Sequence, residues 1–280
     1  MTVGRPFRIM GVLNVTPDSF SDGGEFFDHA AAVAHALELA AEGADILDVG
    51  GESTRPYAEP VGAAEEARRV VPVIEALTGA GAQISIDTSK LAVARAAVDA
   101  GATVVNDVTA FGSEPALAGF VAERGLGCCL MHMLGEPRTM QDDPRYDDVV
   151  SDVKAFLEQR MAFAVAEGVA EDRIMLDPGI GFGKTVAHNL ELLRRLGEIV
   201  ALGRPVVIGT SRKSFLGKLT GRETAADRVP GTIATNVLAL AAGATVFRVH
   251  DVAPTRDALV VAAATLGPWN PTTPRTTTTT

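Results

Sequence analysis

The sequence predicts an α/β chain folded as a closed (β/α)8 barrel, and three observations carry that prediction. First, one unit recurs along the 280 residues: a Gly, an apolar run of strand length, then a polar side chain. It fills 43–48, 81–87, 101–106, 125–132, 168–177, 203–210 and 243–250, and a further strand at 9–14 lacks only the preceding helix. Second, the helical segment 90–100 between the strands ending at Asp87 and Asp107 is too short to do anything but cross over. Those strands should be parallel and the connection right-handed, and the rest of the chain repeats that unit. Third, the strands are apolar throughout. An open doubly wound sheet, the alternative, should have more polar edges. In a TIM barrel of this kind every strand ends at one mouth. Asn14, Asp48, Asp87, Asn106, His132, Asp177, Lys213, Arg248 and His250 should then share one site.

The elements follow in order. Residues 14–28 form a first mouth loop rich in turn formers, with Phe20 stranded among them; its length and double Gly suit a lid. A helix over 29–42 and a strand ending at Asp48 come next, then the loop GGESTRPYAEPVG. The helix expected at 62–79 sets Glu65 and Glu66 ahead of Arg68 and Arg69, an ordinary solvated pairing, and carries Pro72 as a point of kinking. Ile84 to Asp87 reads as a strand, and residues 90–100 as a helix with Leu91, Ala94 and Val98 on one face. Gly101 closes that helix, where a left-handed conformation suits it.

The fifth strand ends at His132, which reads as a packed residue between methionines with no catalytic role. The long loop 135–148 reads equally as an insertion or as a functional segment. DPGIGFGKT at 177–185 nearly imitates a phosphate-binding loop, but Pro178 stands where the first Gly is needed, and the stretch follows the sixth strand. Both points argue against a nucleotide triphosphatase. GTSRKSFLG at 209–217 opens a helix. Ser214 reads either as its cap or as part of an anion site with Arg212 and Lys213. Barrel loops after the last two strands often hold phosphate, and a period of two puts Arg248 and His250 on one side, which favours the anion site.

Composition narrows the class. A net charge of −10 argues against nucleic-acid binding, while leaving room for a local basic pocket. No run approaches a membrane span, and no secretory signal opens the chain. Cys128 and Cys129 are strand neighbours facing opposite ways, poor disulfide partners that fit a reduced cytoplasm. No zinc motif and no Ser-His-Asp arrangement can be assigned. Residues 1–267 read as one domain, and the Thr- and Pro-rich tail 268–280 as disordered.

Eight stretches together resemble dihydropteroate synthase, the sulfonamide-target family of the folate pathway. They are GVLNVTPDSFSDGG at 11–24, DVGGESTRP at 48–56, SIDT at 85–88, VND at 105–107, LMHM at 130–133, LDPGIGFGK at 176–184, GTSRKSFLG at 209–217 and FRVHDV at 247–252. The resemblance implies a transferase that joins 6-hydroxymethyl-7,8-dihydropterin diphosphate to 4-aminobenzoate. It implies pterin binding at Asp87, Asn106, Met131, Asp177, Phe182, Lys213 and Arg248, and diphosphate binding at Asn14, Thr54, Arg248 and His250. Phe20, Thr54, Arg55, Pro56 and Ser214 match the aminobenzoate site, and Asn14 a Mg²⁺-associated position. Asp87, Lys213, Arg248 and His250 match the catalytic set, and the family implies a cytoplasmic homodimer. The chemistry suits the residue types: carboxylate, amide and ammonium complement the donors and acceptors of an aminopyrimidinone. A pterin-binding methyltransferase, a non-catalytic paralogue and a sulfonamide-insensitive form stay open as alternatives.

Overall fold

The computed structural model describes residues 5–16, 24–54 and 58–267, with backbone alone at 24–28. Phe20, Arg55, Pro56 and the tail 268–280 lie outside the described residues.

Within them, eight parallel strands alternate with helices. The first half runs β1 (Arg8–Asn14), α1 (Gly24–Glu42), β2 (Ile46–Gly50), α2 (Ala63–Ala76), β3 (Gln83–Asp87), α3 (Leu91–Asp99), β4 (Val104–Asp107) and α4 (Ala116–Glu123). The second runs β5 (Gly127–Met131), α5 (Val149–Ala166), β6 (Ile174–Asp177), α6 (Val186–Arg194), α7 (Gly197–Val200), β7 (Val207–Ile208), α8 (Ser214–Thr220), α9 (Val229–Ala241), β8 (Val246–Val249) and α10 (Val252–Leu266). The strands are hydrogen-bonded in the order β6-β5-β4-β3-β2-β1-β8-β7. A bridge from Leu176 to Val206 joins the two ends, where Leu176 N donates to Pro205 O at 2.9 Å. That closure sets the open sheet aside. The glycines that open the repeat all take positive φ, from +62° at Gly125 to +126° at Gly101, a conformation that costs other residues a steric clash.

Alternation along the strands builds two cores. Met10, Ile46, Val104, Cys129, Met175, Val207 and Val246 pack together as a separate cluster inside the barrel. Residues of the opposite face, such as Ile9, Leu47, Val105, Cys128 and Ile208, join the layer between strands and helices. The two cysteines therefore do face opposite ways, and both are buried free thiols. Two residues beyond the interior cluster, the same inward face carries Asp48, Asn106, Met131, Asp177 and Arg248. The apolar interior thus works as a floor under a polar mouth.

Local expectations are adjusted at four points. Helix α1 starts at Gly24 rather than 29, which shortens the first loop. Helix α2 continues through Pro72 to Ala76. The buried face of α3 is Val93, Ala94, Ala97 and Val98, a rotation that leaves Leu91 at the margin. Glu65 forms the expected pairs with Arg68 and Arg69 at 2.8 and 2.7 Å, the second half-buried, but Glu66 is fully buried. It binds Lys90 at 2.5 Å, and Lys90 in turn holds Glu52 at 2.6 Å. With Arg69 donating to Gly51 O at 2.9 Å and Glu52 accepting from Val61 N at 2.7 Å, this network ties down both ends of the described part of the β2–α2 loop.

Candidate active site

Strand register sets the mouth. Asp87 stands opposite Asn106 across β3 and β4, and Met131 opposite Asp177 across β5 and β6. Asp48 is the hub: its Oδ2 accepts from Asn106 Nδ2 at 2.9 Å and from Arg248 Nε at 2.7 Å. Arg248 reaches on to Asp87 Oδ2 at 2.6 Å. Burial pushes the Asp87 carboxyl up to about 7 against the pull of Arg248, with the charge of Asp48 adding to the rise. Two carboxylates share one guanidinium, and five donors on that group leave some for a ligand.

On the other side of the mouth, Asp177 ends β6 and accepts from Gly179 N at 2.6 Å. Burial raises its carboxyl above the usual range. The loop after it turns on Gly179, Gly181 and Gly183, all at positive φ. A side chain at Gly179 would strike His132 O at 1.8 Å, so the loop lies directly against the end of β5. Lys213 Nζ donates to Ile180 O in this loop and sits 4.2 Å from the centroid of Phe182. Burial pulls Lys213 down to about 7, against the opposing charge of Asp177.

The last two loops are latched together. Ser211 Oγ lies 2.9 Å from His250 Nδ1 and accepts from His250 N at 3.1 Å. Arg212, at φ +57°, forks onto Asp251 at 2.6 and 2.9 Å. The expected cation at Arg212 is therefore matched by the Asp251 carboxylate. Ser214 is the first residue of α8, and Lys213 occupies the cap position, so the capping reading of Ser214 gives way. Asn14 ends β1 half-buried, paired with Gly50. Thr54 is half-buried at the edge of the described β2 loop.

His132 is packed, as expected, edge-on to Phe156 with centroids 4.9 Å apart. Burial pulls its imidazole down to about 3. Its partner is Lys184, 3 % exposed, whose Nζ lies 2.9 Å from both His132 Nδ1 and Phe182 O. In the sequence Lys184 stands inside DPGIGFGKT and closes the family-matching stretch LDPGIGFGK, with no role of its own assigned. Loop 135–148, left open above, braces the same segment: Gln141 donates to Gly181 O at 2.5 Å and Tyr146 to Gly183 O at 2.8 Å. Asp177, Phe182 and Lys213 thus belong to one buttressed wall. No group of three His, Cys, Asp or Glu able to hold a metal occurs among the described residues.

Residues 10–250 match the family described as pterin binding enzyme. The dihydropteroate synthase of Neisseria meningitidis serogroup B is 48% identical over 259 residues, 91% of each chain. The Xanthomonas albilineans dihydropteroate synthase solved with 4-aminobenzoic acid superposes with a TM-score of 0.87 at 50% identity, covering 92% of both chains. The same enzyme in complex with 7,8-dihydropteroate gives 0.85 at 48% identity, covering 95% of both.

Proposed function

Because the chain belongs to the dihydropteroate synthases of the pterin-binding enzyme family, we propose that it joins 6-hydroxymethyl-7,8-dihydropterin diphosphate to 4-aminobenzoate, giving 7,8-dihydropteroate and diphosphate. The observation that carries this reading is the pairing of two walls in one mouth. One holds Asp48, Asp87, Asn106 and Arg248, the other Asp177, Phe182 and Lys213.

Asp177 accepts from the amino and ring N–H donors of the pterin. Asn106 offers an amide with one orientation, because the flipped form would set its oxygen against Asp48. Lys213 donates to the ring oxygen and nitrogen, exchanging the Ile180 carbonyl for them. Met131 and Phe182 supply the apolar lining. Diphosphate leaves before the amine attacks, since the methylene cation left behind is delocalised into the dihydropterin ring. Asp87 faces that developing positive charge, and Arg248 and His250 take the negative charge of the leaving group. The aniline nitrogen of aminobenzoate then closes the new C–N bond and gives up one of its two protons to the released diphosphate or to water. Its carboxylate lies at Ser214, with Thr54 beside it and Phe20, Arg55 and Pro56 supplying the cover.

Mg²⁺ fits this chain as an ion carried mainly by substrate diphosphate. Asn14 offers a neutral oxygen at the mouth, in keeping with a hard cation that draws most of its ligands from phosphate and water. Bound there, the ion would offset charge on the leaving group. A second copy would cover Leu238, Val261 and Leu266, which stand exposed on α9 and α10, making the working form a homodimer. The two buried thiols suit a reducing cytoplasm.

The test is incubation of the purified chain with both substrates and Mg²⁺, following dihydropteroate. Turnover supports the reading. Binding of pterin diphosphate by calorimetry without product would place the chain among non-catalytic pterin binders.

A further inference from the structure

We propose that Ser211 is a positioning residue that sets the tautomer of His250, so that Nε2 carries the ring hydrogen. The consequence for catalysis rests on the diphosphate reading of His250 given above; the tautomer itself does not.

Ser211 Oγ meets His250 at two atoms. The backbone N–H of His250 can only donate, so Oγ is the acceptor in the contact at 3.1 Å. That leaves the single hydroxyl hydrogen for the contact at 2.9 Å with Nδ1. Donation to Nδ1 requires Nδ1 to be bare, and the neutral ring then holds its hydrogen on Nε2. The opposite tautomer would make Oγ accept twice from the same residue and turn its own hydrogen away. Ser211 is 7% exposed, and these two contacts are the hydrogen bonds of its hydroxyl. A buried donor left without an acceptor is disfavoured.

The backbone around Ser211 holds this arrangement independently of any ligand. Arg212 N donates to Thr232 Oγ1 at 3.0 Å, and Arg212 O accepts from Arg228 at 3.0 Å. The Arg212 fork onto Asp251 repeats, one residue along, the link between Ser211 and His250. Two successive residues of one loop are thereby fastened to two successive residues of the next. In that tautomer His250 meets an anion as a donor through Nε2–H rather than with a lone pair. That is preorganisation of charge stabilisation at the leaving group.

The experiment is a two-bond ¹⁵N NMR spectrum of the ring nitrogens in histidine-labelled protein, with His250 identified by its loss in His250→Gln. The expected result is a pyridine-type Nδ1 and a pyrrole-type Nε2, shifting to a tautomer average in Ser211→Ala and back in Ser211→Thr. In steady state, Ser211→Ala should raise KM for pterin diphosphate roughly five- to tenfold, the loss of one hydrogen bond, with KM for aminobenzoate changed less than about twofold. A protonated Nδ1 in the unmutated protein overturns the role of Ser211, whatever the kinetics. An unchanged KM for pterin diphosphate in His250→Ala overturns instead the diphosphate reading, whatever the tautomer.

Discussion

Asp48 and Arg248 meet across the mouth at 2.7 Å although 200 residues separate them in the chain. The oxygen that joins them also receives Asn106, so one carboxylate orients a cation and an amide together. Asp48→Asn keeps the volume but removes the charge that Arg248 faces and puts an amide where Asn106 donates. Breaking a buried pair of this kind costs about 3 kcal/mol. Urea unfolding should show that loss, together with weaker pterin binding. Unaltered stability and affinity would remove Asp48 from the centre of the site.

Asp177→Asn sets a donor against a donor if the pterin amino and ring N–H groups lie there. Each mismatched buried group costs about 1–3 kcal/mol, so pterin affinity should fall roughly tenfold or more. Calorimetry giving the original affinity in a folded mutant would refute the assignment.

The unliganded site carries a pH signature. Asp87 is pushed by burial from 3.8 to about 7, so the folded chain holds a proton that the unfolded chain has released. Its stabilising contribution is complete below the unfolded value and is lost as pH rises through about 7. Lys213 is pulled by burial from 10.5 to about 7, so here the unfolded chain holds the extra proton. That contribution is complete above the unfolded value and is lost as pH falls through about 7. The two groups together contribute least near neutrality. Thermal midpoints across pH should show Asp87→Asn flattening the acid limb and Lys213→Met the alkaline limb. A wild-type advantage over Asp87→Asn that grows from acid to neutral pH would mean that Asp87 is ionised throughout.

Lys184→Met retains an apolar stem but leaves Phe182 O and His132 Nδ1 without their donor. We expect a loss of about 2 kcal/mol or more in stability, and a raised KM for pterin diphosphate as the Phe182 segment loosens. A mutant as stable as the parent, with unchanged KM, would show that Gln141 and Tyr146 brace the loop unaided.

Arg55→Ala and Lys213→Ala separate the lid from the pocket. Removing Lys213, which stands against Asp177 and Phe182, should weaken pterin diphosphate binding itself. Removing Arg55 should largely spare that binding while sharply lowering turnover and aminobenzoate capture. Titration of pterin diphosphate into each mutant, alongside rates at varied aminobenzoate, distinguishes them. Normal turnover by Arg55→Ala would end the lid argument while leaving the pterin site intact.

The barrel was legible because its signal is periodic. Gly, apolar run and polar terminus repeat with the chain, and the two faces of each strand follow from alternation, as Cys128 and Cys129 demonstrate. What stayed hidden depends on distant partners. Glu66 looked solvated beside Arg68, and only the fold brings Lys90 under it. Arg212 looked like a free cation until Asp251 met it, 39 residues on. Lys184 carried no periodic signal at all, since its burial comes from the fold of a glycine loop around it.

The barrel wall is thinnest where β6 meets the two-residue β7, at the single Leu176–Val206 bridge. Asp177 stands on one bank of that seam and Lys213 follows on the other. A pterin held by both, as proposed above, would act as a rivet across it. Occupancy then toughens the protein by mass action, and the gain is felt first along this one strip. Without a ligand between Asp177 and Lys213, the seam would rest on the Leu176–Val206 bridge and its neighbouring packing alone.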